Sequence, residues 1–106
     1  MSQLANLFNK YDAVVFFDTE TTGLDPVQNR VIELAALRVE RQADGSLTMA
    51  SKMDAFLLLP DGEEIPAKIT ELTGITNDML QSEGITEEAA AVDFLEMIQG
   101  HTLLVA

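Results

Sequence analysis

The sequence predicts an α/β fold: three antiparallel strands, then helices, then one more strand. Three observations carry this. A β-branched and aromatic run, Val14-Val15-Phe16-Phe17, passes into a Gly/Asp/Pro turn cluster, as a buried strand does at its end. Two further apolar runs follow, separated by the hairpin signal Ala43-Asp44-Gly45-Ser46. From Pro66 to Gly100 the spacing becomes helical, and a short apolar run, Leu103 to Ala106, comes after it.

In chain order, Gln3 to Lys10 reads as a short helical lead-in and Ala13 to Thr19 as strand one. Leu24 to Asn29 is turn-rich and is expected to arch over the end of that strand. Arg30 to Glu40 is apolar on both faces at its start, which fits a buried central strand, although periodicity alone also allows a helix. Glu33, on the face of Val31 and Ala35, reads as a partnered structural acid. A third strand is expected at Met53 to Leu59, stopped by Pro60-Asp61-Gly62. Pro66 suits the first turn of a helix whose apolar side is Ile69 and Leu72 and whose end is Gly74. Thr76-Asn77-Asp78 opens a second helix. The strongest helix spans Thr86 to Gln99, with Thr86 as N-cap and Glu87 and Glu88 complementing the dipole. Its apolar stripe is Ala90, Phe94 and Ile98, with Ala91 and Leu95.

Composition narrows the function classes. The 106 residues suffice for one small domain, and 47% hydrophobic content predicts a packed core rather than disorder. With no cysteine, a disulfide scaffold, a thiolate zinc site and a thiol nucleophile are excluded. No apolar run is long enough for a signal peptide or a membrane span, so the expected location is the cytoplasm, with no membrane partner. The formal net charge of −12 argues against a surface that coats nucleic acid. It argues less against an enzyme that grips one nucleotide end. The charge is uneven: all six Lys and Arg lie at or before Lys68, and seven acids follow, most of them reading as solvated helix faces.

The chemistry points to Asp18 and Glu20. Side chains alternate along a strand, so both carboxylates share one face with Val14 and Phe16. Two carboxylates at the end of a buried strand repel unless a positive charge sits between them, and a hard divalent cation is the simplest one. Blander readings compete. A solvated strand end would explain an isolated Asp-x-Glu. A calcium loop fits Asp18, Glu20, Thr22 and Gly23 but places Asn29 where a bidentate carboxylate is required, and a strand precedes it instead of a helix. A phosphatase-type Asp nucleophile of the haloacid dehalogenase kind wants a second Asp where Glu20 stands.

The longer stretch Phe17-Asp18-Thr19-Glu20-Thr21-Thr22-Gly23-Leu24-Asp25-Pro26 is far more specific. It resembles the first exonuclease motif of the DEDD superfamily of 3′–5′ exonucleases, and most of all its DnaQ-like DEDDh branch. That branch includes the proofreading epsilon subunit of bacterial DNA polymerase III and the exonuclease domain of PolC-type polymerases. The resemblance implies a ribonuclease H-like mixed sheet, with the strand at Leu103 parallel to strand one. It implies that Asp18 and Glu20 are catalytic and bind two divalent metals, Mg²⁺ or Mn²⁺. One ion activates the attacking water and the other stabilises the leaving 3′-oxygen. Thr21, Thr22 and Gly23 would approach the terminal nucleotide, and Thr73 stands where members of the family often carry a His that contacts substrate. The implied partners are a single-stranded 3′ end of DNA or RNA and a DNA polymerase subunit.

In that family the strand matching Leu103 to Ala106 runs into a His-Asn…Phe-Asp motif, which supplies a second Asp. A later motif supplies the general-base His and the last Asp. The expectation is therefore that residues 1–106 are the amino-terminal part of a single exonuclease domain, truncated and incomplete as an enzyme alone. An open sheet edge at Leu103, Leu104 and Val105 would then invite self-association. His101, the one histidine, does not match the catalytic His and reads as a surface or helix-end residue. A second function class stays open: a non-catalytic module of the same fold that binds a basic partner through its acidic surface.

Overall fold

The computed structural model describes Asn6 and residues 8–106. Its elements are β1 (Ala13–Thr21), β2 (Val31–Arg41), β3 (Leu47–Phe56), α1 (Ala67–Thr73), α2 (Asn77–Glu83), α3 (Glu87–Met97) and β4 (Thr102–Val105). The strands form one sheet in the order β3-β2-β1-β4. Thr22 N donates to Arg30 O at 2.9 Å, so the end of β1 meets the start of β2, and these strands are antiparallel. Gln42 N donates to Ser46 O across the next turn, which makes β2 and β3 a hairpin. β4 pairs parallel with β1, in the register Ala13 to Thr102 and Phe16 to Val105. The mixed sheet expected from the motif is present.

The chain divides into two compact units. One comprises Met1–Asp18, Ala35–Met53 and Val92–Ala106. Its core is Val15, Ala36 and Met97, flanked by Phe17, Met53, Phe94 and Ile98. The rings of Phe17 and Phe94 meet edge to face, 5.6 Å apart. Val14 and Val15 are fully buried, each contributing roughly 1.5–3 kcal/mol of hydrophobic stabilisation.

The other unit comprises Thr19–Leu34 and Asp54–Ala91. Ile32, Ile65, Ile75 and Leu80 form its core, with Phe56, Leu59 and Ile69 packed against them. Here β3 gives way to a parallel bridge between Leu57 and Ile85, sealed by Ile85 N to Phe56 O at 2.8 Å and Leu58 N to Ile85 O at 2.9 Å. α1 follows Pro66 and ends at Gly74, whose φ of 78° is left-handed and whose N–H returns to Thr70 O at 2.8 Å. α2 is capped by Thr76 Oγ1, which accepts from Met79 N at 3.2 Å. The Thr86 hydroxyl accepts from Ala89 N at 3.1 Å, as its N-cap reading predicts.

Four details differ from the sequence reading or fall outside it. β3 starts at Leu47, six residues before the expected Met53, because the Asp44–Ser46 turn zips the polar start of the strand against β2. Beyond its apolar end, Leu57 N still donates to Ile32 O of β2 at 2.9 Å while Leu57 also bridges to Ile85. Leu72 is 72% exposed: α1 has only seven residues, and Ile69 alone carries its inward face. On α3 the inward residues are Ala90, Phe94 and Met97, with Ile98 just past its end, while Ala91 and Leu95 face out. Met97 lies seven residues after Ala90, close to two full turns, whereas Leu95 falls about 100° round the helix from Phe94. Half of the expected lead-in at Gln3 to Lys10, residues 3–5 and 7, lies outside the described residues.

Candidate active site

β1 presents the two acids late in its course, after three buried residues. Its burial falls from Ala13, Val14 and Val15 to an exposed Asp18 and a half-buried Glu20. The apolar start anchors the strand, and the acids emerge where it leaves the core. Alternation along β1 sets both carboxylates on the side of Val14 and Phe16. Ionised carboxylates are acceptor-only oxygen groups, the donor type that hard divalent cations take. Among the described residues no set of three or more His, Cys, Asp or Glu side chains converges as a metal site. Glu33, expected to be partnered, does have an interaction within the chain.

The segment after Glu20 is held by its own hydrogen bonds. The Thr21 hydroxyl donates to Gly23 O at 2.6 Å. Thr22 pairs twice with Arg30: its N–H donates to Arg30 O, and its Oγ1 accepts from Arg30 N, both at 2.9 Å. Asp25 and Asn29 then close the loop. Asn29 N donates to Asp25 O and Asp25 N donates to Asn29 Oδ1, each at 2.8 Å. Asp25 Oδ1 also accepts from Val27 N at 2.9 Å. A side chain at Gly23 would put its Cβ 2.6 Å from Asn29 Oδ1. The glycine is thus needed so that Asn29 can lie against the backbone.

Outside this segment, Arg30 stands between two acids, 3.7 Å from Glu63 and 3.8 Å from Glu87. Asp25, Asn29 and Arg30 close the loop through hydrogen bonds that the sequence reading did not assign to them. The signal available was the Asp25-x-x-x-Asn29 spacing inside a turn-rich stretch.

Thr73 sits on the last turn of α1. Its hydroxyl donates to Ile69 O at 2.8 Å and accepts from Ile75 N at 3.1 Å. Both bonds serve the end of its own helix. His101 lies at the other end of β1 from the acids. Its carbonyl accepts from Asp12 N at 2.8 Å, and its ring lies 4.9 Å from that of Tyr11. Asp18 comes five residues after Ala13, which pairs with Thr102, and five residues of strand span about 17 Å.

Residues 15–106 match a family model described as Exonuclease, of the RNase T type. The chain belongs to that exonuclease family. Family members similar to it include a PolC-type DNA polymerase III of Halalkalibacterium halodurans, 43% identical over 75 residues, which are 70% of this chain and 5% of the relative. The epsilon subunit of DNA polymerase III from Aquifex aeolicus is 42% identical over 79% of this chain and 38% of its own length. The epsilon subunit of Treponema pallidum is 36% identical over 94% of this chain and 43% of its own. The exonuclease-family chain thus spans under half the length of each of these relatives. E. coli Exonuclease I, solved with a dT13 oligonucleotide, superimposes with a TM-score of 0.72 at 21% identity, covering 88% of this chain and 20% of that one. That likeness establishes the ribonuclease H-like fold.

Proposed function

We propose that this chain carries the first two acidic ligands of a metal-dependent 3′–5′ exonuclease, Asp18 and Glu20, and that the intact enzyme hydrolyses terminal phosphodiesters of DNA. The carrying observation is the placement of two carboxylates two residues apart where β1 leaves the core, in a chain matched by an exonuclease family model. DNA is favoured over RNA because relatives are named as DNA polymerase III proteins and a structural neighbour was solved on an oligothymidylate. Proofreading beside a polymerase subunit is the role those relatives suggest.

Asp18 and Glu20 would hold Mg²⁺ or Mn²⁺, two ions in the full site, and their oxygens fit these hard cations. When bound, the cations supply Lewis-acid activation of water and neutralise charge at the phosphodiester. The chain's own residues set the frame around them. The Thr22 N–H is committed to Arg30, so Thr22 holds the loop, and contacts to the last nucleotide fall to Thr21 and Gly23. Thr73 has both hydroxyl bonds in its own helix end and would meet substrate through its methyl group or the Gly74 turn.

The test uses the intact protein and a single-stranded oligonucleotide labelled near its 3′ end. Asp18→Ala and Asp18→Asn should each lower Mg²⁺-dependent mononucleotide release by more than about a hundredfold, beyond what changes around a metal ligand usually cause. Near-normal release by Asp18→Ala would remove the assignment, and absence of Mg²⁺-dependent release by the wild-type protein would favour the non-catalytic acidic module.

A further inference from the structure

We propose that Asp61 is a site of spontaneous isoaspartate formation, through ring closure onto the Gly62 nitrogen, and that the same dipeptide at Asp44-Gly45 is protected from it. The proposal rests on two turns of the fold and not on the nuclease reading. Asp-Gly occurs twice in the chain, at Asp44-Gly45 and Asp61-Gly62, and Asn-Gly does not occur. A glycine after an aspartate has no side chain to obstruct the approach of its nitrogen to the carboxyl carbon. All four residues are exposed, and a Cβ built on either glycine would meet nothing within 4 Å. Sequence and access therefore treat the two pairs alike.

Hydrogen bonding separates them. Asp44 Oδ1 accepts from Ser46 N at 2.9 Å and from Ser46 Oγ at 2.6 Å, while Gly45 N donates to Gln42 O at 2.9 Å. Both reacting groups are committed. The same Ser46 bonds hold the Asp44 carboxyl below its ordinary range, which depletes the protonated acid that ring closure consumes. At the other turn Glu63 N donates to Pro60 O at 3.0 Å, with Asp61 and Gly62 at its centre. Among the described residues neither the Asp61 carboxyl nor the Gly62 N–H has a partner. In the reaction the Gly62 nitrogen gives up its proton and attacks Cγ of the protonated Asp61 carboxyl. A C–N bond forms, a C–O bond breaks and water leaves, giving a succinimide ring. Water then adds to either ring carbonyl. Opening one C–N bond restores aspartate, and opening the other leaves the main chain running through Cγ. No oxidant or cofactor takes part. The product carries an extra backbone atom between Pro60 and Glu63, so the bond that closes the turn cannot persist unchanged. The change falls beside Glu63, which lies 3.7 Å from Arg30.

The test incubates the intact protein at neutral pH, folded and in urea, then digests it and separates the peptides that carry Asp44 and Asp61. Isoaspartate is read as methyl groups transferred by an isoaspartyl-specific carboxyl methyltransferase. In the folded protein the Asp61 peptide should gain it about tenfold faster or more, because the Asp44 bonds must break before its ring can close. In urea the two peptides should gain it at similar rates. Asp61→Glu should abolish the Asp61 signal, since the longer side chain cannot close the same ring. Ser46→Ala should raise the Asp44 rate toward that of Asp61. Equal rates in the folded protein would overturn the proposal. So would a difference that survives in urea, a signal that survives Asp61→Glu, or an Asp44 rate unmoved by Ser46→Ala.

Discussion

Arg38 of β2 donates from Nη1 to the carbonyl oxygen of Met97, the last residue of α3, at 2.6 Å. The same nitrogen reaches Gln99 O at 3.0 Å and Thr102 Oγ1 at 3.2 Å, while Nε lies 2.7 Å from Glu40 Oε2. α3 has no basic residue in its last turn, so a strand neighbour provides the positive charge that a helix carboxyl end favours. Arg38→Ala should lower unfolding free energy by about 2 kcal/mol, since the free carbonyls lose a charged donor in a site only 15% exposed. Arg38→Lys should recover only part of this, because one ammonium cannot reproduce the fork. Urea unfolding of the three proteins would check it, and an unchanged midpoint in Arg38→Ala would mean the contact is idle.

Glu20→Gln should keep the fold and raise the Mg²⁺ concentration for half-maximal activity by at least about tenfold, through loss of an anionic ligand. EDTA should abolish activity, and Mg²⁺ or Mn²⁺ should restore it. Activity that survives chelation would contradict the assignment of Asp18 and Glu20 as metal ligands.

Gly23→Ala should displace Asn29, because the added Cβ would lie 2.6 Å from its Oδ1. The lost Asn29–Asp25 bond predicts a destabilisation of about 1 kcal/mol. Asn29→Ala should cost about the same, and the double variant should cost less than the sum, since both changes remove one contact. Strict additivity would show that the two residues are uncoupled.

Thr76→Ala removes the side-chain cap of α2, and about 1 kcal/mol should go with it. The loss should appear first as faster amide exchange at Met79, whose N–H is freed.

Asp44 titrates below the ordinary carboxylate range, held there by the Ser46 hydroxyl and then by the Ser46 N–H at the β2–β3 turn. A folded-state value that is depressed means its contribution is present above the unfolded-state midpoint. That contribution is lost as pH falls through the lower, folded one. Following the Asp44 side-chain carbon by NMR should show the low midpoint, and Ser46→Ala should return it toward the ordinary range. An unchanged midpoint in Ser46→Ala would contradict the assigned cause.

Much of the fold was legible because single residues carry strong local signals. Gly74, Thr76 and Thr86 mark helix ends through chemistry confined to a few neighbours. The parallel partnership of β4 with β1 came from the motif at Asp18 to Pro26 and not from any local pattern. The start of β3 was illegible because Thr48, Ala50 and Ser51 have little apolar content: an exposed edge strand buries almost nothing, so periodicity has nothing to report. Met97 was passed over for Leu95 because side-chain type says nothing about the rotation of a helix. At the site, Asp18 and Glu20 stood out as carboxylates after an apolar run. Asn29 and Arg30 did not, since their role is to bond backbone across eight residues or fewer within an irregular loop.

The loop that follows β1 has a practical meaning for variation within this family. Its neck is fastened by Thr22 and Arg30, and its far end carries Leu24 and Val27 almost wholly in solvent. A segment tied at its base can change length or sequence at its tip for little free energy, since loop closure cost grows only slowly with length. Inserting or exchanging residues at Pro26 and Val27, with Asp25 and Asn29 kept, would therefore leave the strand that bears Glu20 undisturbed. Such a cassette lets descendants, or an engineer, alter what borders the strand end without rebuilding the sheet beneath it.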